Sequence, residues 1–175
     1  MGKLSTYDIA YKGLKEGLHE FNYTIDAKFF ELFEGSLVEK ANINAIVTFE
    51  KMSALLVLSV KIEGTVELTC DRCLDNYNQF VKQEAKLIVK FGEEKADEGG
   101  DFFFVSPGEY HFNIAQLLYE YIVLSIPSRH VHPGKKGGDE CNKDMLNKLK
   151  VYMAVERQEN TDERWEALKK LKNNN

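Results

Sequence analysis

The chain has 175 residues, of which 43% are hydrophobic and 29% charged, and its net charge is -5. That length and apolar content fit one cored domain with a terminal appendage. The acidic balance argues against broad, sequence-blind nucleic-acid binding, which needs a basic face, while leaving room for a small basic patch. The stretch from Met1 to Leu14 has no apolar run of the secretory kind, and Ala54 to Val60 is too short to span a bilayer. Three cysteines, an odd number, fit a reducing compartment better than a disulfide framework. A cytoplasmic protein without a membrane partner is the expectation.

In chain order, residues 4–12 and 17–26 alternate loosely around Gly13 and Gly17 and read as two strands. Residues 27–33 fit one or two helical turns. From 37 to 91 the pattern is strand after strand. Thr65, Glu67 and Thr69 alternate with Val66, Leu68 and Cys70; Glu84, Lys86, Ile88 and Lys90 alternate with Ala85, Leu87, Val89 and Phe91. Such alternation gives one buried and one wet face, the signature of antiparallel sheet. Glu93 to Gly100 is an acidic loop, Asp101 to Val105 a short strand, and Pro107-Gly108 a turn.

Asn113 can cap a helix, with Gln116 returning the hydrogen bond, and Ile114, Leu117, Leu118, Tyr121 and Ile122 follow at helical spacing. Pro127 ends that helix near residue 126. After a loop over 127–141, Met145, Leu149, Tyr152 and Met153 continue at helical spacing, and Thr161 can cap a last helix carrying Trp165, Leu168 and Leu171. The fold class is therefore α+β: a mainly antiparallel sheet over 4–105, which could be barrel-like, with helices near 113–126, 143–157 and 161–172. Residues 1–141 form the domain, and 142–175 a helical, partly mobile extension. The expected core includes Val66, Leu68, Leu87, Val89, Ile114, Leu117, Leu118 and Ile122.

Cys70-Asp71-Arg72-Cys73 is a C-x2-C whose spacing lets two thiolates grip one metal ion from a tight turn. A structural zinc site needs four ligands. His130, His132 and Cys141 share the loop after Pro127, so Cys70, Cys73, His132 and Cys141 would make a closed Cys3His set. The alternatives are a metal-free pair, with Cys70 packed as the inward end of a strand, or a redox pair. A redox C-x2-C usually starts a helix in a βαβ unit, whereas this one lies between strands. His19 and His111 read as structural.

No phosphate-binding glycine loop, dinucleotide fingerprint, HExxH or GxSxG occurs. Asp101, Glu109 and Glu120 could meet in space, but they read as a solvated face or helix cap rather than an acid/base pair. The sequence gives an enzyme no positive support. Ser128 to Lys136 gathers Arg129, Lys135 and Lys136 with His130 and His132. Such a loop suits phosphate contacts, but on charge alone a solubilising surface loop is the favoured reading.

Taken together, Thr69-Cys70-Asp71-Arg72-Cys73-Leu74, the run Tyr119 to Pro127, Val131-His132-Pro133, Cys141 and the closing segment Asp162 to Lys172 resemble the YceD family of large ribosomal RNA subunit accumulation proteins. The likeness covers roughly residues 35–172. The long N-terminal region and Lys-rich loop look like its Bacteroidetes-type branch. Many members carry two or more cysteines in the late loop, whereas this chain has only Cys141, so His132 would complete the site.

The resemblance implies a non-enzymatic role in 23S ribosomal RNA accumulation and large-subunit assembly, with Zn2+ as a cofactor. Its partners would be ribosomal RNA, a large-subunit ribosomal protein or an RNA-processing factor, and DNA is not expected. Arg129, His130, Lys135, Lys136 and Trp165 are the candidate contact residues. Two other readings stand beside this one: a zinc-stabilised protein-binding adaptor without RNA contact, and an RNA-processing hydrolase.

Overall fold

The computed structural model describes residues 4–53, 55–92, 102–106, 108–134 and 140–153. The described residues form strands β1 (Asp8–Ile9), β2 (Gly17–Ile25), β3 (Ala41–Lys51), β4 (Leu55–Thr69), β5 (Asn76–Phe91), β6 (Phe102–Val105) and β7 (Phe112–Asn113). The same residues form α-helices α1 (Ala27–Phe30), α2 (Ala115–Ser125) and α3 (Lys143–Met153). The main sheet has the order β2-β3-β4-β5-β6. Its pairs are antiparallel except β5 with β6, which run parallel.

The sheet is open. Among the described residues β2 and β6 are its edges and do not pair with each other, so the barrel-like closure entertained for the sequence is not what forms. One face is instead covered by helices and the N-terminal segment, which bury apolar surface without closure.

The long hairpin follows from period-2 patterning. Along β4, Leu56, Leu58, Val60, Ile62, Val66 and Leu68 point inward and are buried. Lys61 and Glu63 point outward, where they pair across strands with Glu84 (3.6 Å) and Lys82 (3.3 Å). Those exposed pairs add little stability, and the inward stripe supplies the main drive. All eight core residues named from the sequence are buried. Gly64 interrupts the stripe opposite Ile43. A Cβ there would meet the Asn42 carbonyl oxygen and come within 2.6 Å of the Ile43 Cα, so the close approach of β3 demands glycine.

The N-terminal region differs from expectation. Residues 4–12 form two short 3-10 turns around a two-residue strand, β1, rather than a continuous strand. Their backbone is satisfied locally and by β7: Asp8 pairs with Asn113 and Ile9 with Phe112. The Asn113 side-chain Nδ2 also donates to the Leu4 carbonyl (2.9 Å), tying this region to the start of α2. The strand expected over 17–26 does form, as β2 over Gly17–Ile25 at the sheet edge, with Asp26 already capping α1.

Asn113 accepts the Ala115 amide (3.0 Å), as a capping side chain should. Gln116 does not return a hydrogen bond; its amide donates to Glu120 one turn on (2.7 Å). α2 lies against β4 and β5 and buries Ala115, Leu117, Leu118 and Ile122. Phe33 after α1 stacks on Tyr119 of α2 at 4.2 Å between ring centroids, locking α1 to α2. α3 starts at Lys143 beneath an Asn142 side-chain cap. The expected helix over 161–172 lies outside the described residues.

Candidate metal centre

β4 and β5 are joined by a tight turn over residues 70–75. Two backbone bonds close it: the Cys70 amide donates to the Asp75 carbonyl (3.0 Å) and the Leu74 amide to the Cys70 carbonyl (2.9 Å). Closing the turn puts Leu74 at a φ of 65°, a left-handed conformation that costs a non-glycine residue about 1–2 kcal/mol. The reward is geometric. Cys70 and Cys73 both turn inward and are fully buried, while Asp71, Arg72 and Leu74 face solvent.

Pro127 ends α2 and sends the chain back over this turn. The Asp71 amide donates to the His130 carbonyl (2.7 Å), and the Asp71 carboxylate accepts the His130 amide (2.8 Å). Two residues later the His132 ring lies against Tyr77, with centroids 4.9 Å apart. The His132 Nδ1 thereby faces the sulfurs, 3.5 Å from Cys73 and 3.5 Å from Cys141. The Cys70 and Cys141 sulfurs are 3.8 Å apart across a separation of 71 residues. All four ligand atoms lie within 4.8 Å of one another.

These spacings fit a tetrahedral ion. With sulfur at about 2.3 Å and nitrogen at about 2.0–2.1 Å from zinc, the S···S edge is about 3.8 Å and the S···N edge about 3.6 Å. The donor chemistry agrees: thiolate with imidazole suits zinc, whereas magnesium and calcium take oxygen.

The protein prepares one thiolate. Burial alone would raise the Cys70 thiol, but amides of Arg72, Cys73 and His132 donate to its sulfur and bring it from 9.0 down to about 6. Cys141 moves the other way: burial raises its thiol, and so does the neighbouring Cys70 sulfur. The metal-free pair is thus a thiolate beside a thiol. The Tyr77 phenol is raised by burial and then by the charges of Cys70 and Asp71. It stays neutral against the site.

The structure brings Cys70, Cys73, His132 and Cys141 together and leaves His130 outside the tetrad, held by its backbone. Arg129 is exposed beside that anchored segment. Lys135, Lys136 and Trp165 lie outside the described residues. Asp71 and Tyr77 were missed as site residues. Adjacency to the cysteines is the signal for Asp71; nothing local in the sequence marks Tyr77, which packs on His132 only through the fold.

A family model described as large ribosomal RNA subunit accumulation protein YceD matches residues 58–172, a span that includes all four clustered residues. The chain belongs to the YceD family. No curated protein and no solved structure matches it. Among the described residues no helix is long and apolar enough to cross a membrane.

Proposed function

We propose that this YceD-family protein is a zinc-stabilised, non-enzymatic factor that supports 23S ribosomal RNA accumulation and large-subunit assembly in the cytoplasm. The family name ties members to the large ribosomal RNA subunit. The observation that carries the mechanistic part is the convergence of four protein ligands, three sulfurs and one imidazole, on one point. Catalytic zinc sites keep a position open for water or substrate, whereas four protein ligands close the tetrahedron. The metal's contribution is then structural. It clamps the loop after α2 to the β4–β5 turn, a loop closure that is costly for a chain to hold by itself.

The chain's own residues do the rest. Asp71 aligns the returning loop, Tyr77 orients the His132 ring, and Arg129 projects from the anchored segment. In this reading the clamp presents the basic loop to ribosomal RNA, a large-subunit ribosomal protein or an RNA-processing factor. The likeness to the Bacteroidetes-type branch belongs to the same proposal.

One observation favours a second reading, a protein-binding adaptor without RNA contact. Leu74 is 67% exposed on the clamped turn, and apolar side chains held this way suit protein partners better than phosphates. The hydrolase reading has no comparable support.

The test is replacement of the chromosomal copy by Cys73→Ser and Cys141→Ser variants. Large-subunit ribosomal RNA is then measured against small-subunit RNA, alongside zinc in the purified proteins. Zinc loss with a fall in large-subunit RNA to the deletion level supports the proposal. Zinc-free variants that sustain normal RNA levels contradict it.

A further inference from the structure

Beside the tetrad lies an open cleft of about 300 Å³ lined by Arg72, His132, Gly134, Glu140, Cys141, Lys143 and Leu146. Its two cations come from the two segments that the tetrad joins. Arg72 sits between Cys70 and Cys73 in the β4–β5 turn, and Lys143 follows Cys141 by two residues at the start of α3. Both are exposed, and among the described residues neither is in an ion pair. One carboxylate, Glu140, shares the cleft and is likewise exposed.

We infer that this cleft is a ribonucleotide subsite, in which Arg72 and Lys143 hold a backbone phosphate and Glu140 accepts a hydrogen bond from the neighbouring ribose 2′-hydroxyl. The inference rests on the RNA-linked function proposed above and names where and how RNA is touched. The donor set matches the ligand. A guanidinium offers paired N–H groups to phosphate oxygens, and an ammonium adds a point charge. A carboxylate repels phosphate but accepts from a hydroxyl, and the 2′-hydroxyl is the group that separates RNA from DNA. The volume suits about one nucleotide unit, so a single-stranded segment is the form that fits.

The geometry also makes the subsite depend on the clamp. Arg72 and Lys143 belong to segments about 70 residues apart in sequence, and the cluster of Cys70, Cys73, His132 and Cys141 is what brings their backbones together. The competing explanation is that the two cations merely offset the negative charge of three thiolates. In that case their removal should weaken metal retention and leave RNA untouched.

The experiment uses the zinc-loaded full chain and fluorescently labelled single-stranded RNA and DNA oligonucleotides of the same sequence, at two salt concentrations. Arg72→Gln and Lys143→Gln should each weaken RNA binding about tenfold, and each should reduce the slope of log affinity against log salt by about one, with zinc content unchanged. Glu140→Gln should reduce the preference for RNA over DNA while leaving the salt slope in place. Equal RNA affinity in wild type and the Arg72→Gln, Lys143→Gln double variant overturns the subsite. So does loss of zinc without a change in the salt slope, or wild-type protein that binds neither oligonucleotide. The proposed cellular function is judged separately by ribosomal RNA levels, so it can stand when the subsite fails.

Discussion

Asp71 and His130 are joined twice: the Asp71 amide donates to the His130 carbonyl at 2.7 Å, and the Asp71 carboxylate accepts the His130 amide at 2.8 Å. This two-point latch sets the height and direction at which the loop crosses the turn, one residue from Cys70 and two from His132. Both bonds are made between protein groups and neither uses a ligand atom, so the latch aligns the loop over the metal centre. Asp71→Ala should weaken zinc binding about fivefold, the equivalent of roughly 1 kcal/mol for one hydrogen bond near the surface. Asp71→Asn, which keeps an acceptor oxygen, should recover most of that. Competition with a colorimetric chelator reads both. Equal affinity in wild type and Asp71→Ala would show that the latch contributes nothing.

The thiol asymmetry sets the pH dependence of metal binding. With Cys70 at about 6 and Cys141 raised, metal-free protein near pH 7.5 holds Cys70 as thiolate and Cys141 as thiol. Zinc uptake there should release the Cys141 proton and none from Cys70. As pH falls through about 6, Cys70 protonates too, and affinity should drop more steeply. The same depressed value stabilises the metal-free fold above the ordinary thiol range, and that contribution is lost as pH falls through about 6. The raised Cys141 value has the opposite sign: its contribution is present at low pH and lost on alkalinisation. Calorimetric titration in buffers of different ionisation enthalpy counts the protons. An affinity that does not change between pH 5.5 and 7.5 would contradict this assignment.

Gly64 tests the fold that carries the site. A Cβ there meets β3 backbone, which cannot swing aside as a side chain can. Gly64→Ala should cost about 1–3 kcal/mol in chemical denaturation. Gly13→Ala, where an added Cβ meets nothing within 4 Å, should change stability by less than about 0.5 kcal/mol. Similar midpoints for the two variants would show that the close approach is absent in solution.

Leu74 offers the reverse case. It is exposed at a φ of 65°, so Leu74→Gly removes strain but adds freedom to the unfolded chain. The two effects nearly cancel, and stability should hold within about 0.5 kcal/mol. Leu74→Val adds branching to the same backbone and should destabilise by about 1 kcal/mol or more. Denaturation of the zinc-loaded proteins distinguishes them, and a Val variant as stable as wild type would mean that the turn relaxes.

Much of the sheet was legible because one face is wet. Val66, Leu68, Leu87 and Val89 were placed inward by alternation alone, and they are buried. Alternation cannot say whether a sheet closes, since an open sheet covered by helices has the same inward stripe; hence the barrel-like alternative at the sequence level. The N-terminus was misread for a related reason. Ile9 and Tyr11 alternate like a strand and are buried, but Ile9 ends the two-residue β1 and Tyr11 opens a 3-10 turn, with its hydroxyl donating to the Glu109 carbonyl at 2.6 Å. The four clustered residues were readable from chemistry and spacing. The cleft beside them was not, because Arg72 and Lys143 become neighbours of one cavity only through the fold.

The central claim is that Cys70, Cys73, His132 and Cys141 together hold one zinc ion. X-ray absorption at the zinc edge, on protein purified without chelator, tests it most directly. We expect about one zinc per chain, with three sulfurs at about 2.3 Å and one nitrogen at about 2.0–2.1 Å. Protein without zinc that shows three freely titrating thiols, or zinc in a shell made only of nitrogen and oxygen, would contradict it.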